Sequence, residues 1–160
     1  MTDRVGFYKV SPRTIRVWRI SNAISYFFYF GIPAVYYAIL GADGFHGWFL
    51  AFLIFAILIV WSVAVFWFPY QNWRNWRYTI TQQEIELKYG IFFKTHTLIP
   101  LSRVQHVNTR QGPILRWQEL STVTISTAAT THQIEGLDST LADRLRRKIS
   151  TYARLAEEDV

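Results

Sequence analysis

The chain has 160 residues, 51% of them hydrophobic and 18% aromatic, with 17 Lys and Arg against 11 Asp and Glu and a formal net charge of +6. It contains no cysteine, which excludes disulfides and thiolate chemistry. Two of its segments are long and apolar all round, and the remainder is too small to wrap both, which excludes a wholly soluble globule.

In chain order, residues 1–19 read as a basic cytoplasmic N-terminal segment carrying Arg4, Lys9, Arg13, Arg16 and Arg19. Residues 20–71 read as a transmembrane helical hairpin. Residues 20–40 and 47–70 hold no Asp, Glu, Lys, Arg or His, and each stretch reaches the roughly 20 residues that a helix needs to cross about 30 Å of hydrocarbon. The second, rich in Leu, Ile, Phe and Val, inserts unaided; the first, diluted by Ser21, Asn22, Ser25 and several Tyr, leans on it. Both lie too far into the chain and run too long for a cleaved signal peptide. Arg74 and Arg77 follow the second span, whereas the connecting GADGFH carries no Lys or Arg. The asymmetry predicts a multi-pass protein of the cytoplasmic (inner) membrane with both termini in the cytoplasm. Trp18, Trp48, Trp67, Trp73 and Trp76 fall near the span ends and read as membrane-interface anchors.

Residues 76–156 read as a cytoplasmic domain. YTITQQEIELKYG alternates, with Ile85, Leu87 and Tyr89 on one face, and turns at Thr81 to Gln83 and at Gly90. FFKTHTLIP is a further β-rich run ending at Pro100, and STVTISTAA places Val123 and Ile125 inward with Thr122, Thr124 and Ser126 outward. Along SRVQHVNTRQGP, alternation sets Arg103, Gln105, Val107 and Thr109 on one side and Val104, His106 and Asn108 on the other. Arg103 and His106 then diverge instead of sharing a pocket, unless a bulge intervenes. From Leu137 the apolar residues Leu141, Leu145, Ile149 and Tyr152 predict one helical stripe facing a core, with Arg144, Arg146, Arg147 and Lys148 mostly off it.

These elements carry a resemblance. The Y-x-I-T-x-x-x-I opening at Tyr78 to Ile85, the G-I-F turn at Gly90, the IPLSRVQHV run from Ile99 to Val107, the Q-G-P at Gln111 to Pro113 and the TVTISTA run from Thr122 to Ala128 resemble the bacterial pleckstrin-homology-like (PH-like) domain of small YdbS-type membrane proteins. Gln118 and Glu119 stand where many such proteins carry Leu-Gly or Leu-Ala. With the paired spans, the resemblance covers nearly the whole chain. It implies an α+β membrane protein: a transmembrane hairpin, then a partly open antiparallel β-barrel or sandwich capped by a C-terminal helix, with no known catalytic activity.

No constellation argues for an enzyme. His96, His106 and His132 have neither metal-ligand spacing nor cysteine partners, and no nucleophile elbow, Ser-x-x-Lys pair or phosphate-cradling Gly-rich loop occurs. No catalytic residue, cofactor or metal is expected. Charge-free spans argue against an ion or proton pathway, and the positive-inside flanks account for much of the basic charge, so nucleic acid is not an expected partner.

The first reading is a non-enzymatic interaction or scaffold module at the inner leaflet, meeting a protein partner, another PH-like membrane protein or a second copy of itself. Its candidate surface is Arg103, Gln105 and Arg110. The alternatives are an anionic-lipid sensor, with Arg74, Arg77, Arg144, Arg147 and Lys148 as candidate contacts, and a subunit of an enzyme or transport complex. The first strand connection, ITQQEIE, offers Gln82, Gln83, Glu84 and Glu86 but no cation, so phosphoinositide-specific binding there is not expected.

Overall fold

The structure is a computed structural model that describes residues 6–41 and 43–158; Arg4 lies outside them. The chain divides into two compact units, residues 18–70 and residues 6–17 with 71–158.

The first unit holds the greater part of two long helical rods, whose outer ends belong to the second. One runs from Thr14 to Leu40 as α1 (Thr14–Phe27), a 3₁₀ turn (Phe28–Phe30) and α2 (Gly31–Leu40). The tightening falls just before Pro33, whose ring excludes an N–H and crowds the carbonyl of Tyr29. The other runs from Phe45 to Asn75 as α3 (Phe45–Ser62), a π-helical segment (Val63–Trp67) and α4 (Phe68–Asn75). Both rods are long and apolar enough to cross a bilayer, and only 6% and 11% of their most apolar windows are buried within the protein. Core helices of a soluble protein would be mostly covered; these rods need an apolar solvent. Asn22 is tied down: its amide donates to the Ala64 carbonyl at 2.8 Å, inside the π segment where the backbone ladder is interrupted.

The second unit is built on two three-stranded antiparallel sheets, β1 (Arg77–Ile80), β2 (Glu84–Tyr89) and β3 (Thr95–Pro100) in one, β4 (Val104–Arg110), β5 (Leu120–Thr127) and β6 (Thr131–Asp138) in the other. Ile85, Leu87, Leu120, Val123, Ile125 and Ile134 are fully buried between them. No barrel closes: β3 and β4 follow one another through a 3₁₀ turn (Leu101–Arg103) yet belong to different sheets. Thr122 and Thr124 are buried, contrary to simple alternation, because β5 is the central strand of its sheet and is packed by α5 (Pro113–Trp117) and α6 (Ser139–Glu158).

The capping helix is α6, but its buried stripe differs from the expected one. Ala142, Leu145 and Ile149 are buried, whereas Leu141 is 40% exposed and Leu137 still belongs to β6. Glu119, preceding β5, holds φ 57°, a left-handed conformation that glycine adopts without cost and that Glu does not.

Residues 6–17 of the basic N-terminal segment pack within this unit. Tyr8 exchanges backbone hydrogen bonds with Tyr78 of β1 at 2.8 and 3.0 Å, while the Ser11 N–H and the Thr14 hydroxyl both donate to the Gly136 carbonyl of β6, at 2.9 and 3.0 Å. Val10 between them is buried, and its carbonyl accepts from the Trp73 indole at 3.0 Å. The segment is a strap that stitches the outer edge of one sheet to the outer edge of the other. Burial, with Tyr8 and Asp138 nearby, holds the Tyr78 phenol above its ordinary pKa.

Candidate functional site

With the β1/β6 side strapped, the β3/β4 side is where the two sheets are left without strand pairing, and α6 packs beside it against β4 and the 3₁₀ turn. A cleft of about 970 Å³ lies there, walled by Ile99 and Pro100 of β3, by Arg103, Gln105 and His106, and by the β5–β6 turn with His132. Among the described residues β3 pairs only with β2 and β4 only with β5, so each presents an unpaired backbone edge.

A β-bulge shapes the wall. The pairing of β4 with β5 slips between Val104, opposite Thr127, and His106, opposite Ser126. The extra residue, Gln105, breaks the two-residue alternation, so Gln105 and His106 are both exposed, while Val107 and Thr109 turn toward the core. Arg103 sits in the preceding 3₁₀ turn, outside the strand. Arg103, Gln105 and His106 therefore line one cleft, the outcome that uninterrupted alternation forbids. Arg110 is exposed at the far end of β4 opposite Thr122 and does not join them.

Sequence reasoning weighed His132 only as a metal ligand and missed its place in the cleft, where its Nε2 lies 2.9 Å from the Thr130 hydroxyl. The signal was the polar TAATTH turn, which supplies one wall. Among the described residues no three His, Cys, Asp or Glu side chains gather as metal ligands.

The remaining candidates are scattered. Trp76 is buried and stacks on Tyr89 with ring centroids 5.8 Å apart, so its ring packs within the β-domain. Trp73 spends its indole N–H on the strap, with the Lys9 ammonium 5.1 Å above its ring. Trp48 and Trp67 stay exposed and Trp18 half-buried on the helical rods. Arg144, Arg147 and Lys148 are exposed on α6, Lys148 lying 5.5 Å from the Tyr152 ring. Arg74 is exposed, and the Arg77 guanidinium donates to the carbonyls of Arg74 and Trp76 at 2.8 and 3.0 Å, closing the end of α4. On β2, Glu86 accepts from Lys88 at 2.8 Å and from His96; these bonds, Lys88 first, hold its carboxyl below its ordinary pKa.

Comparison with known proteins agrees with this architecture. The family model described as "Bacterial PH domain" matches residues 27–153. The chain is 38% identical to the UPF0699 transmembrane protein YdbS of Bacillus subtilis (strain 168), over 95% of this chain and 96% of that protein. No solved structure matches. Two long apolar helices, two antiparallel sheets without barrel closure and a helical cap, matched over this much of the chain, make it a membrane protein that belongs to the bacterial PH domain family.

Proposed function

We propose that the chain is a non-enzymatic interaction module anchored in the cytoplasmic membrane, with both termini in the cytoplasm, that receives an extended segment of a protein partner or of a second copy in the β3/β4 seam. The open seam carries this reading. Its edges offer backbone N–H and C=O groups to an added strand, which supplies affinity, while Arg103, Gln105, His106 and His132 supply side-chain recognition along one wall. An acidic or amide-rich segment fits a wall with a guanidinium and two imidazoles. The strap supports the orientation: residues 8–14 bond to strands β1 and β6, which lie beyond the helical rods in sequence, as flanks that share one side of the bilayer would. The Lys/Arg bias of those flanks favours the cytoplasm as that side.

The test is photocrosslinking of the full-length protein in intact cells, with a photoreactive residue at Gln105 or at Arg110. Gln105 should yield a discrete adduct, at twice the protein's mass for self-association and at another mass for a different partner. Arg103→Glu should weaken that adduct several-fold. Equal adducts from both positions, insensitive to Arg103→Glu, would assign the interaction to another face.

A further inference from the structure

A second concave site lies away from the seam, where the end of α4 meets the β2–β3 turn. It is a groove of about 360 Å³ lined by Arg74, Arg77, Lys88, Lys94, Thr95 and His96 among others, within the roughly 300–1,000 Å³ typical of small-ligand sites. The strand register makes it basic. Arg77 of β1 stands opposite Lys88 of β2, and Lys88 opposite His96 of β3, so two cations and an imidazole run in a row across the whole sheet. Like charges placed opposite one another destabilise a sheet unless something compensates them. Within the protein Glu86 compensates in part, bridging Lys88 and His96, and Lys88 also lies 4.0 Å from the centre of the Phe7 ring. Arg74 from the helix and Lys94 from the turn add two more exposed cations, so the groove keeps an excess of positive charge that a multidentate anion would balance.

We infer that this groove binds the phosphate of an anionic phospholipid headgroup, an assignment that goes beyond the interaction seam and does not depend on it. A free phosphate compound has the same anionic chemistry, but two features favour the lipid. Arg74 lies four residues beyond Tyr70 on the same helix, about 6 Å of rise from the end of the charge-free stretch. The turn carrying Lys94 also exposes Phe92 and Phe93, at 78% and 88%. Aromatic side chains beside cations suit the boundary between headgroups and acyl chains and have no use for a soluble anion. The turn is built to present them: Gly90 holds φ +114°, a Cβ there would collide with the Phe93 carbonyl, and its own carbonyl accepts from the Asn75 amide at 3.0 Å. The site thus lies on the β2–β3 turn, not on the cation-free connection between β1 and β2.

The experiment titrates the purified full-length protein, in neutral detergent, with short-chain phosphatidylglycerol, phosphatidylcholine and glycerol 3-phosphate. Phosphatidylglycerol should bind saturably and the other two should not compete at equal concentration. R74Q/K94Q, both exposed positions, should weaken phosphatidylglycerol at least about tenfold, while the helix pair R144Q/R147Q should leave it within about twofold. Phe92→Ser with Phe93→Ser should also weaken it. Equal binding of phosphatidylcholine, or equal losses from the two arginine-containing pairs, would overturn the site. Displacement by glycerol 3-phosphate at equal concentration would overturn the lipid as its ligand.

Discussion

Gly136 is the residue on which the β-domain turns. It holds φ +70° within β6, and a Cβ there would stand 1.8 Å from the Thr14 hydroxyl oxygen, while its carbonyl accepts both the Ser11 N–H and that hydroxyl. Gly136→Ala therefore forces the strap off and strains the backbone as well. It should destabilise by at least about 1–3 kcal/mol, with faster hydrogen exchange at Tyr8 and Tyr78. Gly112→Ala is the control: its Cβ would meet nothing within 4 Å, and it should cost less than about 0.5 kcal/mol. None of this was legible in the sequence, because an irregular strap has no periodicity to read and Gly136 sits unmarked in an otherwise ordinary strand. Gln105 is a similar case. A bulge inserts one residue without altering composition, so the partnership of Arg103 with His106 emerged only from the register.

At the scale of elements, the strands read well and the helix less well, for one geometric reason. Strand alternation repeats every two residues, so Ile85 and Leu87, or Val123 and Ile125, fall on one face without drift. A helical spacing of four overshoots the 3.6-residue turn by about 40° at each step. The expected stripe began at Leu137, a residue still in β6, and its Leu141 emerged on the solvent side, whereas the spacings of three and four joining Ala142, Leu145 and Ile149 keep to one face. Leu145→Ala and Ile149→Ala should each cost about 2–5 kcal/mol, and Leu141→Ala about 0.5 kcal/mol or less. Hydrogen exchange of β5 and α6 amides in the full-length protein measures the difference, and a loss at Leu141 equal to that at Ile149 would return the stripe to its four-residue spacing. The helical rods show the opposite strength and weakness: their extent followed from missing charge alone, but nothing in the composition marked the π segment that gives Asn22 its acceptor.

At the scale of the whole molecule, the two charge-free stretches and the β-rich remainder were legible because hydrocarbon thickness and strand period act on composition directly. The division of the β-domain around the rods was not, because long-range pairing leaves no local trace. The proposed orientation is measurable in a chain without native cysteine. Asp43→Cys should react in intact cells with a membrane-impermeant thiol reagent applied outside, and Thr131→Cys, exposed on β6, should react only after lysis. Labelling of Thr131→Cys in intact cells would reverse the orientation.

The strap also imposes an order on assembly. Thr14 and its acceptor Gly136 are 122 residues apart, and at a synthesis rate of about 5–20 residues per second the strap waits roughly 6 to 24 s for its second partner to be made. The segment made early docks late, after the apolar rods have passed through the ribosome and while the edges of β1 and β6 still stand uncovered. Two copies synthesised side by side during that interval present each other with the same straps and the same edges, so closure within one chain competes with exchange between neighbours.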